Sequence, residues 1–210
     1  MIRVAIADDH AVVRQGLRHI INETTELSLA GEAATGAETL DLARTVDCDV
    51  LVLDMSMPGP GGLDILRELR ALKPGLAILV LSMYPEDQFA VRLLKGGADG
   101  YLNKESAPEA LVGAIRKVAT GGKYVSAALA EKLAEALHTG GEALPHEALS
   151  DREFQVLRLI AAGRTASEIA AQLSLSVKTI STYRSRLLTK MRMNTNADLM
   201  RYALDHGLVE

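Results

Sequence analysis

The sequence predicts an α/β domain built on a doubly wound, five-stranded parallel sheet, followed by a smaller all-α domain. Over roughly residues 1–120, short apolar runs alternate with stretches of helical periodicity, whereas after residue 150 the periodicity is helical only. The charge changes at the same place, since residues 1–149 carry 14 Lys and Arg against 21 Asp and Glu, and residues 150–210 carry 9 against 6. A basic tail on an acidic body indicates a polyanionic partner for the tail alone.

The strands of the first domain are predicted from short apolar runs. They are IRVAIA (2–7), SLAGEA (28–33), DVLVLD (49–54), AILVLSM (77–83) and GYLN (100–103). The third run is too continuously apolar to alternate, as expected for a strand buried on both faces. Helical spacing predicts the connecting helices at 11–23, 36–46, 63–73, 88–98 and 107–121.

The chain is predicted to divide into a first domain (1–122), a helical extension and linker (123–148) and a second domain (149–210). The linker contains HTGGEALPHEAL, which has two glycines, a proline and little periodicity. Helices of the second domain are predicted at 151–163, 166–173, 177–191 and 196–207. Ser150 is a predicted N-cap, with Glu153 as its capping-box partner.

The composition predicts a cytoplasmic protein. The sequence has no apolar run of signal-peptide length at its beginning and none of the roughly 20 residues that cross a bilayer. Its one cysteine, Cys48, cannot form an internal disulfide and is expected to be a small buried apolar residue.

Polar residues follow the predicted strands at their carboxyl ends, where parallel sheets carry their functional sites. They are Asp8, Asp9, Asp54, Ser82 and Lys104. Oxygen ligands suit Mg²⁺, so Asp9 and Asp54 are predicted to bind it directly, Asp8 through water, and Ser56 through its backbone carbonyl. His10 is expected to lie in the loop and frame the acidic pair rather than act as a base.

The same residue types suit phosphoryl transfer. The Asp54 carboxylate can act as a nucleophile towards phosphorus, and Lys104 can neutralise charge on phosphoryl oxygens. Ser82 offers a hydroxyl that can hydrogen-bond to a phosphoryl oxygen. Because ionised aspartate is costly near an apolar core, a structural role for Asp54 is harder to defend than for the others.

At these positions the chain resembles the receiver domain of two-component response regulators, over roughly residues 1–120. The motifs are Asp8-Asp9, Asp54 followed by Met57-Pro58-Gly59, Ser82, Tyr101 and Lys104. The resemblance implies a flavodoxin-like receiver fold whose Asp54 is phosphorylated by the phosphohistidine of a sensor histidine kinase or phosphotransfer domain, with Mg²⁺. It also implies that Ser82 and Tyr101 move together to transmit the change.

An enzyme is the main alternative. Phosphatases of the haloacid dehalogenase type carry a second aspartate two residues after the nucleophile, where this chain has Ser56. The glycine-rich run 58–62 lacks the Gly-Lys-Ser/Thr ending of a nucleotide-binding loop. We therefore expect only the receiver's own phosphoryl transfer and slow self-dephosphorylation, which Ser56 and Tyr84 are placed to tune. A further alternative is a phosphorylation-independent DNA-binding protein whose receiver has become a protein-interaction module.

The second domain contains a helix-turn-helix pattern in ASEIAAQLSLSVKTISTYRSRLLTKM. Ile169, Ala170 and Leu173 are predicted to pack, and 174–176 forms the turn, with Leu175 closing the core. In the second helix the predicted packing residues are Val177, Ile180, Leu187, Leu188 and Met191. Hydroxyls and cations cover its other face, which suits contacts with bases and phosphates.

Residues 149–208 resemble the LuxR-type helix-turn-helix of the NarL/FixJ subfamily. The resemblance implies that Ser181, Thr182 and Ser185 face base edges of double-stranded DNA. It assigns phosphate contacts or groove-flanking positions to Lys178, Thr179, Tyr183, Arg184 and Lys190. Few of the predicted base readers are Arg, Asn or Gln, so readout of DNA shape is expected to contribute. The last helix is where such domains pair as phosphorylated homodimers, although its stripe of Leu199, Tyr202 and Ala203 is equally consistent with ordinary core.

Overall fold

The computed structural model describes residues 1–57, 61–83, 86–106, 108–126, 129–131, 144–173 and 175–209. The chain forms two compact units, Met1–Gly140 and Gly141–Glu210. Each unit has its own secondary-structure class.

The described part of the first unit contains a parallel sheet with strand order β2-β1-β3-β4-β5. The strands are Ile2–Ala7 (β1), Leu27–Ala33 (β2), Val50–Asp54 (β3), Ala77–Ser82 (β4) and Gly100–Asn103 (β5). The order reverses direction beside β1, which is typical of a doubly wound fold. The predicted fold class is therefore confirmed.

Helices cover both faces of the sheet. They are Ala11–Glu23 (α1), Gly36–Thr45 (α2), Gly62–Leu72 (α3), Glu86–Lys95 (α4) and Pro108–Ala119 (α5). One face packs against Leu17 and Ile21 of α1 and against Ile115 of α5. On alternate strand positions, Leu51 and Ile78 are also almost fully buried. The continuous apolar strands thus follow from burial on both faces.

Strand register explains why the polar strand ends meet. Asp54 pairs with Leu81, and Ser82 pairs with Asn103, the residue before Lys104. Ala7 pairs with Leu53, which brings Asp8 beside the end of β3. Since all strands run in one direction, these ends lie on one edge of the sheet, here called the carboxyl edge.

The second unit is helical in its described residues. Its elements are a 3₁₀ turn at Pro145–Ala148 and the helices Asp151–Ala161 (α6), Ala166–Gln172 (α7), Val177–Met191 (α8) and Asn196–Asp205 (α9). Ser150 and Glu153 form the predicted capping box at the start of α6. Thr165 with Glu168 and Thr195 with Asp198 form equivalent boxes for α7 and α9.

One packing prediction is wrong. The sequence predicts Val177 in the core, but Val177 is 47% exposed because it is the first residue of α8, directly after the N-cap Ser176. The first buried position of α8 is Ile180, one turn later. Cys48 is buried as predicted. In the predicted helical extension and linker (123–148), residues 129–131 are helical, and residues 127–128 and 132–143 lie outside the described residues.

Candidate functional site

The centre of the carboxyl edge is a buried cluster of charged groups. The Asp8 and Asp54 side chains are each 1% exposed, and Lys104 is 6% exposed. The Lys104 Nζ lies 2.6 Å from the Asp8 Oδ2 and 3.0 Å from the Asp54 Oδ2. Asp9 completes the cluster with a side chain that is 29% exposed. The structure thus brings together the carboxylates and the amine that the sequence singled out.

Backbone hydrogen bonds fix this arrangement. The Lys104 amide donates to the Ser82 carbonyl oxygen at 2.8 Å, which ties the end of β5 to the end of β4. The Ser56 amide donates to the Asp54 Oδ1 at 3.1 Å and orients that carboxylate. The other Asp54 oxygen is therefore the one nearer Lys104.

Two residues at the start of α1, the N-cap His10 and Arg14 of the helix itself, support the acidic pair. The His10 amide donates to the Asp8 Oδ1 at 2.8 Å, and the His10 Nδ1 lies 2.8 Å from the Asp9 Oδ1. Arg14 donates from Nη1 to the Asp8 carbonyl oxygen at 2.6 Å. Sequence reasoning missed Arg14, although its position one turn after His10 and the tilt of helical side chains towards the N-terminus were available signals.

Excess negative charge is the main electrostatic feature of this cluster. Among the described residues, Lys104 is the cation that contacts two of its three carboxylates directly. Burial raises the pKa of Asp54 and the charge of Asp8 raises it further, while Lys104 acts in the opposite direction. A divalent cation would relieve this repulsion.

The donor set also fits a divalent cation. Ligand atoms of Asp8, Asp9, His10 and Asp54 all lie within 4.8 Å of one another. Carboxylate oxygens are the ligands that Mg²⁺ prefers.

The two residues of the implied switch are both buried. Ser82 is 1% exposed and Tyr101 is 2% exposed. Tyr101 pairs with Val80, two residues before Ser82, so both side chains belong to the same face of the sheet. Met57 is buried, whereas Pro58, Gly59 and Tyr84 lie outside the described residues.

In the second unit, α8 has one buried and one exposed face. Ile180, Leu187 and Met191 are buried. The predicted DNA-contacting residues lie on the rest of the helix: Lys178, Ser181, Thr182, Arg184, Ser185 and Lys190 are exposed, and Thr179 and Tyr183 are partly exposed. A single helix therefore carries the whole predicted contact set.

Some of those residues have partners within the unit. The Lys190 Nζ lies 2.7 Å from the Oε2 of Glu153, a carboxylate that is 3% exposed. Arg184 donates from Nε to the Asn196 Oδ1 at 2.6 Å. The Ser181 and Ser185 hydroxyls donate to backbone carbonyls four residues earlier. A groove of about 470 Å³ beside α8 is lined by Glu153, Ser185, Arg186, Thr189 and Lys190.

The stripe on the last helix is mostly core. Leu199 and Ala203 are fully buried within the unit. The Tyr202 hydroxyl lies 2.7 Å from the His146 Nδ1, which connects α9 to the 3₁₀ turn. Packing within the unit therefore accounts for Leu199 and Ala203, whereas Tyr202 is only partly buried.

Comparison with known families agrees with this geometry. Residues 4–116 match the response regulator receiver domain, and residues 147–203 match the luxR family of bacterial regulatory proteins. The chain belongs to the response regulators, with a receiver domain and a LuxR-type helix-turn-helix DNA-binding domain.

Particular relatives span the whole chain. It is 35% identical to the response regulator UvrY of Escherichia coli K12 over 209 residues, covering 99% of this chain and 96% of UvrY. It is 36% identical to the response regulator GacA of Pseudomonas aeruginosa over 211 residues, covering 100% and 99%.

A solved relative is RcsB of Salmonella enterica serovar Typhimurium, bound to promoter rprA in the presence of a phosphomimetic. It has a TM-score of 0.60 and 28% identity, covering 96% of this chain and 97% of that one.

In the described part of this chain, no helix is long and apolar enough to span a membrane.

Proposed function

We propose that this response regulator is controlled by phosphorylation of Asp54, with a sensor histidine kinase or phosphotransfer domain as donor and Mg²⁺ as cofactor. One observation carries the proposal: a buried aspartate at the end of a central strand shares Lys104 with Asp8. A buried carboxylate in a crowded acidic cluster is costly for a merely structural role. A role as phosphoryl acceptor would explain why the Asp54 carboxylate is buried there.

In the transfer step, an Asp54 carboxylate oxygen attacks phosphorus. A P–O bond forms as the P–N bond of the phosphohistidine breaks, and the electron pair stays on the imidazole nitrogen, which then takes a proton from water. Lys104, already at 3.0 Å from Asp54, offsets charge on the phosphoryl oxygens.

The proposed Mg²⁺ ligands are Asp9, Asp54 and the Ser56 carbonyl, with Asp8 acting through water. The bound cation would supply further charge stabilisation on the transferring group. His10 and Arg14 hold the Asp8 loop in position through the hydrogen bonds described above.

The phosphoryl group would bias the receiver towards a second conformation. It adds negative charge and acceptor oxygens at the carboxyl edge. Ser82 would hydrogen-bond to the new group, and Tyr101, on the same face of the sheet, would repack with it. Phosphorylation would then release or dimerise the DNA-binding domain, and the symmetry of a homodimer would match paired half-sites.

The output surface we propose is the exposed face of α8. Ser181, Thr182 and Ser185 would approach base edges, and their oxygens keep lone pairs while the hydroxyls bond to the backbone. Lys178, Thr179, Tyr183, Arg184 and Lys190 would contact phosphates or flank the groove. For Lys190 this requires exchanging the Glu153 carboxylate for a phosphate.

We retain the domain limits 1–122, 123–148 and 149–210 as part of this proposal. The family matches at 4–116 and 147–203 support them. As a DNA-binding regulator, the protein would act in the cytoplasm.

The test is DNA binding by the full-length protein with and without acetyl phosphate and Mg²⁺, using genomic fragments and sequencing of the bound fraction. Phosphodonor should tighten binding by about tenfold, within the usual range of coupling between two sites. The change should vanish in Asp54→Asn and persist in Asp64→Asn, whose carboxylate is 51% exposed on α3.

Two results would contradict the proposal. Tightening that survives in Asp54→Asn would place the phosphoacceptor elsewhere. Equal binding with and without phosphodonor in the wild type would favour an interaction module over a phosphoswitch.

A further inference from the structure

The carboxyl edge also contains an imidazole nitrogen, that of His10, beside its carboxylate oxygens. His10 is the N-cap residue of α1, with an extended backbone (φ −83°, ψ 107°), so the start of the helix fixes where its side chain begins. Its Nδ1 lies 2.8 Å from the Asp9 Oδ1 and 3.2 Å from the Asp8 Oδ1. The imidazole thus faces the carboxylates that we assign to the cation.

The spacing of the four side chains is close to that of a coordination shell. Two ligands on opposite sides of a cation at about 2.1 Å are about 4.2 Å apart. The ligand atoms of Asp8, Asp9, His10 and Asp54 lie within 4.8 Å of one another. Shifts of a few tenths of an ångström would bring Asp9, His10 and Asp54 to a common cation, with Asp8 bound through water. His10 can make such a shift because its side chain is 60% exposed and is not held by core packing.

We propose that His10 is a metal ligand, so that the site discriminates in favour of late first-row divalent cations such as Co²⁺ more strongly than its carboxylates alone would. Imidazole nitrogen is a good ligand for these cations, whereas Mg²⁺ prefers oxygen. This inference rests on the proposed function, because it adds a ligand to the same site.

The alternative role for His10 is to order Asp8 and Asp9 by hydrogen bonding. The two roles differ in a measurable way. A residue that only orders the carboxylates supports every cation alike, so its loss lowers Mg²⁺ and Co²⁺ affinity together. A nitrogen ligand supports the late cation selectively. The ratio of the two affinities therefore separates the roles.

The experiment uses full-length protein stripped of metal with EDTA. Mg²⁺ and Co²⁺ dissociation constants are measured by titration calorimetry in the wild type, His10→Asn and His10→Leu, and the Co²⁺ absorption spectrum is recorded. Asn is a favourable N-cap residue and keeps the start of α1, which guards against loss of folding. His19→Leu is the matched control, since His19 is 70% exposed on the same helix and contacts Glu23.

Replacing His10 should weaken Co²⁺ binding by about tenfold or more, a loss typical of changes at a metal site. In the same variants, Mg²⁺ affinity should change by less than about threefold. The Co²⁺ spectrum should change in both His10 variants, and His19→Leu should alter neither constant.

Two other outcomes overturn the proposal in distinguishable ways. If Mg²⁺ binds and both affinities fall equally, or neither falls, in the His10 variants, the imidazole is not a ligand and the proposed function stands. If the wild type binds neither cation, the metal site in the proposed function fails together with this inference.

Discussion

The two edges of the sheet use aspartate in opposite ways. At the carboxyl edge, Asp8 and Asp54 share Lys104 and crowd against Asp9. At the opposite edge, where β3 and β5 begin, Asp49 and Asp99 each have several donors of their own. Comparing them shows which carboxylates stabilise the fold and which impose a cost on it.

At this opposite edge, here called the amino edge, each carboxylate accepts several hydrogen bonds. The Asp99 Oδ2 accepts from the Ile78 amide at 2.8 Å, the Oδ1 accepts from the Lys123 Nζ at 2.8 Å, and Arg70 completes the group. Asp49 accepts from both the amide and the guanidinium of Arg3.

The pKa directions follow these contacts. Hydrogen bonds from the Arg3 side chain hold the pKa of Asp49 at about 2. Burial alone would raise the pKa of Asp99, but its hydrogen bonds from Lys123, Ile78 and Arg70 outweigh burial and lower it. Burial raises the pKa of Asp54, and Lys104 does not fully compensate. The pKa shift of Asp54 is therefore opposite in sign to those of Asp49 and Asp99, because Asp49 and Asp99 each have more hydrogen-bond donors for their negative charge.

The largest expected effect is loss of the Asp99 group. Asp99→Ala leaves Arg70 and the Ile78 amide without their carboxylate, and it should reduce the free energy of unfolding by about 3 kcal/mol. Urea unfolding of the full chain measures this. Asp64→Ala is the control, because its exposed pair with Arg67 at 3.9 Å should contribute less than about 0.5 kcal/mol. Equal losses in the two variants would mean that Asp99 stabilises the fold no more than an exposed ion pair does.

The second prediction is an increase, not a loss, in the free energy of unfolding. Asp54→Asn removes one charge from the crowded cluster, so it should raise the free energy of unfolding by about 1 kcal/mol at neutral pH in EDTA. The same replacement at Asp49 should lower it, because that carboxylate is paired with Arg3. Destabilisation by Asp54→Asn would mean that Asp54 is a structural residue like Asp49.

The smallest expected effect is the dependence of these differences on pH. The folded pKa of Asp54 lies above 3.8, so its ionisation costs stability as pH rises through that folded pKa. The gain from Asp54→Asn should therefore shrink as pH falls towards 3.8. The folded pKa of Asp99 lies below 3.8, so its contribution is present above that value and is lost as pH falls through the folded pKa.

Unfolding measured at a series of pH values tests both signs. The advantage of wild type over Asp99→Asn should decline only below 3.8, while the advantage of Asp54→Asn over wild type should decline before that. Parallel curves for the two variants would contradict the comparison.

Much of this arrangement could be predicted from the sequence, and the reasons are physical. Continuous apolar runs such as 49–54 required burial on both faces, which requires a parallel sheet covered by helices. Parallel strands then bring Asp8, Asp54 and Lys104 to one edge. The roles given to those residues stay predictions, since only their positions are visible in the fold.

Other features depend on three-dimensional contacts that no local pattern encodes. Arg70 reaches Asp99 across 29 residues of sequence, and Lys190 reaches Glu153 across 37. The exposure of Val177 depends on the orientation of the first turn of α8. Helical periodicity alone therefore assigned Val177 to the buried face incorrectly.

The capping boxes of the second unit bear on how fast each part of the chain folds. In the described residues, α6, α7 and α9 each start with a side chain that bonds three positions along the chain. The sheet instead begins with pairs such as Ile2 with Leu27 and Val4 with Val50, which close long loops. Because local contacts favour rapid folding and parallel pairing is slow, the helical unit should reach its native state faster once synthesised. The ribosome releases the slower unit first, so the order of synthesis gives the sheet additional time before the rest of the chain is complete.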